Sequence, residues 1–428
     1  MRVRVLMGDT LVGQLADIEG TIYFEFDAAF LQSNVEISPL HWRLAAGARA
    51  CRKGHLHNLP GFCYDSLPDA WGERIMARWF LAEQKRAIES VTPLEQLCFV
   101  GDRGVGALRY EPVLLKDDPL RDEARDALDL RRIESEARAV LDAPESEAIP
   151  GLIELARNGS AGGARPKIWI GVKERGPSGE EPRLIASPHK LPSGYTPWLL
   201  KLDVPKVGAQ YREYGRLEHA YALMAKAAGL RTCKTRIFTA KDENGHDRAH
   251  FAIARFDREP AGKRIFFHSL AGITESDFDA DLGYELLLDT TQEITRDHTE
   301  LVEAFRRAVF NVAARVRDDH AKNHGFLYSG GRWRLSPAYD MVYASPGRFQ
   351  RHAMSVGGSV QPGVAHLQTL ASYSGINAKE AAAVMEKCRR AVKGWRKFAT
   401  QAGVSEARQI EVEKNLPGQT WDKVVGRP

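Results

Sequence analysis

Two aspartates and one asparagine late in this chain have the types and the spacing to act on a hydroxyl group and a metal ion. Asp318 precedes Asn323 by five residues. A short strand, a Ser-Gly-Gly turn and a return strand are predicted over residues 324–335, and this hairpin leads into Asp340. Because a hairpin brings its two ends together, the three side chains can converge on one point. A carboxylate can accept a hydroxyl proton, and hard oxygen ligands suit Mg²⁺.

Protein kinases position the same three groups in this way. A catalytic-loop Asp accepts the proton of the acceptor hydroxyl, and an Asn and a later Asp hold the Mg²⁺ ions that bridge the ATP phosphates. An ordinary turn is the alternative, because Asp and Asn side chains bond nearby backbone in many loops. Asp340 favours the kinase interpretation, since the segment around it is otherwise apolar and aromatic.

A zinc site is a second alternative, because His320 and His324 would share one face if this stretch were helical. Zinc proteases need a Glu directly after the first His, and Ala321 stands there. The sequence Asn323-His324-Gly325 is also typical of the end of a loop. The zinc interpretation is therefore disfavoured.

Composition narrows the class of protein. The 428 residues, 43% of them hydrophobic, are enough for two or three domains with real cores. A net charge of +4, from 60 basic and 56 acidic residues, argues against a dedicated nucleic-acid binder. The five cysteines are scattered without a CxxC pair, which is typical of reduced thiols in a cytoplasm. No signal peptide and no apolar span of membrane length are recognised, so a cytoplasmic location is expected.

The order of elements predicts an α+β class and a bilobal, protein-kinase-like fold, with a β-rich N-terminal lobe and a mostly helical C-terminal lobe. The predicted parts are a β-rich domain (1–112), charged and solvated linker helices (113–150), a nucleotide-binding portion of the N-lobe (151–265) and a helical kinase lobe (266–428). Strands are predicted over residues 3–7, 11–15, 21–26, 168–172, 198–202, 236–239 and 251–256. Helices are predicted over residues 69–84, 217–228, 279–288, 294–314, 378–399 and 405–415.

Two segments could face the phosphates of a nucleotide. The loop from Ser160 to Lys167 contains Gly162 and Gly163, which let backbone N–H groups approach an anion, although it is neither a Walker A loop nor a GxGxxG loop. Lys201 ends an apolar strand, where it must reach water or find an anion. Its alternative is an edge-strand lysine with its head in solvent. Glu218 could pair with Lys201, as the helix Glu of kinases does. A glycine-rich stretch at 101–110 enters a strand and is interpreted as a structural turn.

These motifs together resemble the HipA-type serine/threonine kinases, the toxins of bacterial HipBA toxin–antitoxin pairs. The resemblance spans nearly the whole chain, with the motifs in order. One departure is Val316, where the family often has Asn, and another is Ala254, where Glu is usual. The segments that carry the resemblance are 65–69, 104–107, 160–167, 198–201, 254–258, 318–325 and 339–340.

The resemblance implies a role for each matching residue. Asp318 would be the catalytic base, Asn323 and Asp340 the Mg²⁺ ligands, and Lys201 the ATP-phosphate lysine, with Gly162, Gly163 and Lys167 in the cofactor-binding loop. Ser160, in that loop, would be the autophosphorylation site that switches the enzyme off.

The resemblance also implies partners: a small helix-turn-helix antitoxin (HipB-like), operator DNA through that antitoxin, and an aminoacyl-tRNA synthetase as protein substrate. A catalytically weak corepressor with a kinase fold and a small-molecule phosphotransferase remain alternative functions.

Overall fold

Two groups of residues with dense internal contacts make up this computed structural model. The first unit comprises Met1–Arg212 and Phe238–Phe267, and the second comprises Glu213–Ile237 and His268–Pro428. The structure describes every residue except 116–127, 145–148, 150–151, 158–164, 175–181, 187–190, 206–210, 243, 260–261, 278–279, 346–349, 418–420 and 422–428. The first unit is rich in strands and the second in helices, so the predicted α+β class is confirmed.

The N-terminal part of the first unit is an antiparallel sheet with helices. Its elements are β1 (Arg2–Met7), β2 (Thr10–Ile18), β3 (Thr21–Phe26), α1 (Ala28–Leu31), β4 (Arg49–Ala50), α2 (Gly61–Tyr64), α3 (Ala70–Gln84), α4 (Pro93–Val100) and β5 (Leu108–Glu111). The strands lie in the order β4-β3-β2-β1-β5. Val3 and Val5 of β1 are buried while Arg2 and Arg4 are exposed, which is the alternation that predicted this strand.

The predicted linker contains a helix that is part of a core. This helix is α5 (Leu130–Asp142), and its buried residues include one charged side chain, Glu134. Ile133, Ala137 and Val140 lie on one side of the helix at helical spacing and are fully buried. They join the same apolar cluster as α3 and as α6 (Leu152–Arg157). The prediction of a solvated linker is therefore wrong for this helix, because a charged sequence can still present a narrow apolar stripe.

The second sheet of the first unit carries the predicted phosphate-side lysines. Its strands are β6 (Lys167–Lys173), β7 (Arg183–Ala186), β8 (Thr196–Lys201), β9 (Thr235–Lys241) and β10 (Asp247–Ala254), in the order β7-β6-β8-β10-β9. Ile168 of β6 and Leu200 of β8 are cross-strand neighbours in the apolar cluster. That face of the sheet is therefore the core face, and β8 is a central strand.

A buried carboxylate holds the glycine-rich turn at 101–107. Asp257 Oδ2 accepts hydrogen bonds from the Gly106 N–H and from the guanidinium groups of Arg255 and Arg258, each at 2.7 Å. Arg258 also donates to the Gly106 carbonyl at 2.8 Å. Burial alone would raise the pKa of Asp257, but the two guanidinium groups hold it well below its usual value. The turn is occupied by contacts within its own unit, as expected for a structural turn.

Loss of the Asp257 charge is expected to destabilise the first unit. Asp257→Asn leaves two buried guanidinium groups without their carboxylate, which should cost about 3–5 kcal/mol of unfolding free energy. Because the folded pKa lies below the unfolded value of about 4, the contribution of Asp257 is present above that pH and is lost as the pH falls through the folded pKa. Urea unfolding of Asp257→Asn beside Asp247→Asn, which alters the exposed pair with Lys241, measures the effect. An equal, small change in both variants would contradict it.

The second unit is built around a helix that is buried almost all round. Helix α7 (Tyr214–Ala227) comes before β9 in the chain, and β11 (Phe266–Ser269) lies where the chain passes from the first unit to the second. The elements that follow are α8 (Leu270–Ile273), α9 (Tyr284–Thr295), α10 (His298–Ala313), β12 (Gly325–Ser329), β13 (Arg332–Leu335), α11 (Val364–Tyr373), α12 (Ala378–Lys393), α13 (Trp395–Gln401) and α14 (Glu406–Lys414). The buried helix is α10, with α9 and α12 packed on it.

The single helix predicted over 378–399 is wrong, because Gly394 ends α12 and begins α13. Across the described parts of the chain, no helix has both the length and the apolar character that a bilayer crossing requires.

Candidate active site

The predicted hairpin is present and brings its two ends together. Strands β12 and β13 pair antiparallel, with Ser329 opposite Arg332. Gly330 and Gly331 form the two-residue turn with φ values of 60° and 75°. Both values lie in the left-handed region, which the primed hairpin turns require and which glycine adopts without strain. Local sequence alone therefore determines how the chain before β12 meets the chain after β13.

Asp318, Asn323 and Asp340 line one cavity of the second unit. About 280 Å³ of space, part of it open to solvent, lies between the lining residues. Charged and polar side chains from α10 and from the loop before β12 form one part of its wall, and the chain after β13 forms another. Its lining residues are Arg307, Asn311, Val316, Asp318, Asp319, Asn323, His324, Ala338, Tyr339, Asp340 and Met341.

The Asp318 carboxylate is accessible, and its backbone is held by Asn323. The Asp318 side chain is 45% exposed, with His320 Nε2 at 3.8 Å from Oδ1. Asn323 Nδ2 donates to the Asp318 carbonyl at 2.6 Å, across the short 3-10 turn Ala321–Asn323. The loop therefore presents the carboxylate outward while an amide side chain closes the loop behind it.

Asp340 has a left-handed backbone, with φ of 54°. Asp and Asn tolerate this region better than other residues with a Cβ. The preceding residue, Tyr339, donates its hydroxyl to the Lys322 carbonyl at 2.7 Å, which fastens the chain after β13 to the loop before β12. The carboxylate oxygens of Asp340 and the amide oxygen of Asn323 are hard ligands, and both side chains line the same cavity from two parts of its wall. One or two carboxylates with phosphate oxygens are the set that protein-bound Mg²⁺ usually takes, so these residues fit that ion.

The zinc alternative gains no support. Within the described residues, no group of three or more His, Cys, Asp or Glu side chains is placed to hold a metal ion. His324 is buried, and burial lowers its pKa to about 3, so its ring is neutral near pH 7.

Lys167 and Lys201 are direct cross-strand partners in the first unit. Residues directly opposite on antiparallel strands project to the same face, so both ammonium groups share the face opposite the apolar cluster. Both lysines are buried, and Lys201 Nζ lies 5.8 Å from the ring centre of Phe251, its partner on β10. The edge-strand interpretation of Lys201 is therefore wrong, because β8 is central and the residue is 8% exposed. Two like charges directly opposite each other repel.

Two family models match the chain. The model of the HipA-like C-terminal domain matches residues 159–395, which is more than half of the chain, and the model of the HipA N-terminal domain matches residues 3–111. The chain belongs to the HipA family. Both matches agree with the order of motifs along the sequence.

A solved HipA structure shows the same fold. The HipA of Shewanella oneidensis MR-1, solved in a complex with HipB and its operator DNA, superposes with a TM-score of 0.68 over 97% of this chain and 96% of that chain, at 13% identity. The proinflammatory kinase CtkA of Helicobacter pylori matches with a TM-score of 0.30 over 52% of this chain and 85% of that chain, at 11% identity, which is too weak for an argument. A search of curated proteins finds no match.

The sequence interpretation missed the role of Asp319 in this HipA-family site. Asp319 is buried and accepts from the Tyr284 hydroxyl at 2.8 Å, from His352 Nδ1 at 2.7 Å and from the Ala353 N–H at 2.9 Å. Asn311 Nδ2 in turn donates to the Tyr284 hydroxyl at 2.8 Å. Burial alone would raise the pKa of Asp319, but the hydrogen bond and charge of His352 together with the other donors lower it. No local signal could reveal partners 33 to 35 residues away.

Two further residues singled out in the sequence are buried, and three lie outside the part of the chain that the structure describes. Val316, where the HipA family often has Asn, is buried in the cavity wall, and its N–H donates to the Asn311 carbonyl at 2.9 Å. Glu218 lies on α7 and is buried. Ser160, Gly162 and Gly163 lie outside the described residues.

Proposed function

We propose that this HipA-family protein transfers the γ-phosphate of ATP to a serine or threonine hydroxyl of a protein. The observation that carries the proposal is the convergence of Asp318, Asn323 and Asp340 on one cavity. That set contains a base for the hydroxyl proton and two oxygen ligands for Mg²⁺, which are the groups that phosphoryl transfer from ATP needs.

Each residue has a defined task in the proposed reaction. Asp318, with its exposed carboxylate, accepts the proton as the substrate hydroxyl oxygen bonds to phosphorus and ADP leaves. Asn323 and Asp340 hold the metal, while Asn323 also fixes the Asp318 carbonyl. Lys201 binds phosphate oxygens, with Lys167 beside it on the same face of the sheet. Bound Mg²⁺ neutralises the charge on the phosphate oxygens.

The proposed biological role is that of the toxin in a type II toxin–antitoxin pair. Membership of the HipA family supports it, and the Shewanella HipA was solved with HipB and operator DNA. We propose a HipB-like helix-turn-helix antitoxin as partner, with operator DNA contacted through that antitoxin. An aminoacyl-tRNA synthetase is the proposed substrate, following the family resemblance.

Transfer of radiolabel from ATP tests the proposal. Purified protein with Mg·ATP and a bacterial lysate should place label on serine or threonine of a protein, and mass spectrometry should locate it. Label that appears only in small molecules would contradict protein kinase activity. Protein that binds an antitoxin but transfers no phosphate would favour the corepressor alternative.

Ser160 is expected to carry a phosphate in active preparations. Phosphorylation adds about −1.5 to −2 charges to a glycine-rich loop proposed to hold an anion, so repulsion should weaken ATP binding. Mass spectrometry should find this phosphate in wild-type protein and not in Asp318→Asn protein. Ser160→Asp should bind ATP poorly, and Ser160→Ala, the matched control, should bind it normally. An active enzyme that never gains the phosphate during long incubation with Mg·ATP would contradict self-inactivation at Ser160.

A further inference from the structure

The chain just before the candidate active-site loop is bound to the chain that follows Asp340. Arg315 Nε donates to the Ala344 carbonyl at 2.9 Å, and the Ala344 N–H donates to the Arg315 carbonyl at 3.1 Å. Arg317 donates through Nη1 to the Gln350 carbonyl. Asp319 accepts from the Ala353 N–H. Every second residue from 315 to 319 is thus bonded to Ala344, Gln350 or Ala353, while Asp318 is exposed and lines the cavity.

The same two parts of the chain are also joined by a contact between two buried side chains, His352 and Asp319. The His352 ring is 3% exposed, and the Asp319 carboxylate it meets is fully buried. Because an ionised carboxylate can only accept, His352 Nδ1 must carry the proton of the 2.7 Å hydrogen bond. A hydrogen bond to an ionised group is stronger than a neutral one. The His352 N–H also donates to the Val360 carbonyl at 2.9 Å, which fixes the residue from its backbone side.

The same carboxylate accepts three hydrogen bonds, each from a different part of the second unit. Its Oδ1 accepts from the Ala353 N–H, and its Oδ2 accepts from both Tyr284 and His352. Tyr284 begins α9, and its hydroxyl is itself held by Asn311 of α10. Asp319 therefore joins two helices of the second unit to the segment after Asp340, and Asp318 is its direct neighbour in the chain.

We propose that His352 is a positioning residue that holds the backbone of Asp318 in place through Asp319. This inference rests on the proposed function, in which Asp318 is the base. His352 does not line the cavity, so its loss should alter the placement of Asp318 without removing any side chain that is proposed to contact the nucleotide or its metal. A displacement of a reacting group by about 1 Å can cost about 10²-fold in rate.

Two substitutions separate the hydrogen bond from the bulk of the ring. An Asn side chain places an N–H close to the position of His Nδ1, whereas Leu fills the space without a donor. We expect His352→Leu to lower kcat by about 10²-fold, with KM for Mg·ATP changed by less than about threefold. His352→Asn should recover most of the loss in kcat. Equal kcat in wild type and His352→Leu, or equal losses in the Leu and Asn variants, would overturn the proposal.

Hydrogen exchange supplies a readout that does not depend on catalysis. The amides of residues 318–323 and of Ala353 should exchange faster in His352→Leu than in His352→Asn, while amides of α10 stay protected in both. Unchanged exchange in this loop would overturn the positioning role even if kcat fell. If the wild-type protein transfers no phosphate, the proposed kinase function fails, and the exchange comparison still decides whether His352 holds the loop.

Discussion

Replacement of Asp318 by Asn is expected to lower phosphoryl transfer by about 10²–10⁴-fold, the usual loss when a positioned general base is removed. Asn has nearly the same size, so the loop can keep its shape, and Asn323 bonds the backbone carbonyl of residue 318 rather than its side chain. Nucleotide affinity should therefore stay close to the wild-type value. Single-turnover transfer of radiolabel measures the first quantity, and calorimetric titration of Mg·ATP measures the second.

Asp281→Asn is the matched control, because it makes the same chemical change at an exposed position of the second unit, away from the cavity. It should transfer phosphate at the wild-type rate. In cells, Asp318→Asn should also relieve toxicity, if growth arrest depends on catalysis. Wild-type speed in the Asp318→Asn protein would remove Asp318 from the role of base.

Replacement of Asp340 is expected to weaken binding of nucleotide in the presence of Mg²⁺ by about tenfold or more. Loss of a residue that only supports a metal ligand commonly costs about 10–100-fold in metal affinity, so loss of a proposed ligand should cost at least as much. Asp340→Ala removes the carboxylate. The effect should disappear when Mg²⁺ is omitted, because nucleotide binding without the ion does not use this contact. Titrations of ATP with and without Mg²⁺ give both values.

The left-handed backbone at Asp340 requires a second variant. Alanine is strained at φ of 54°, so Asp340→Ala could alter the loop as well as the ligand. Asp340→Asn tolerates the same φ and keeps an oxygen, but it lacks the charge. Both variants should lose Mg²⁺-dependent affinity, with Asn intermediate. Wild-type affinity and turnover in both would exclude Asp340 from the site.

The parts of the site that sequence predicts are those that local rules determine. Gly330 and Gly331 specify a two-residue turn, and the short strands on either side fix which residues meet at the open end of the hairpin. The convergence of Asn323 and Asp340 follows from that geometry. The placement of Asp318 five residues earlier is also local, since it depends on one short turn.

The parts that sequence did not predict depend on contacts between distant segments. Asp319 could be taken for a surface residue beside Asp318, because nothing near it in the chain indicates that Tyr284 and His352 surround it. The apolar stripe of α5 is short and lies within a charged segment, so its burial follows from packing rather than from composition. The strand containing Lys201 was correctly predicted, but its central place in the sheet depends on β10, which is far along the chain.

The division of each unit between two stretches of chain has a consequence for synthesis on the ribosome. The first unit receives Met1–Arg212 and then, after an interval of second-unit residues, Phe238–Phe267. Strand β10 lies between β8 and β9, so the second sheet cannot be completed until β10 has been synthesised and has left the ribosome. Helix α7 is made in that interval, before the rest of its own unit. A released fragment that ends near residue 212 should therefore expose the unpaired edge of β8, a surface prone to aggregation and suited to chaperone binding.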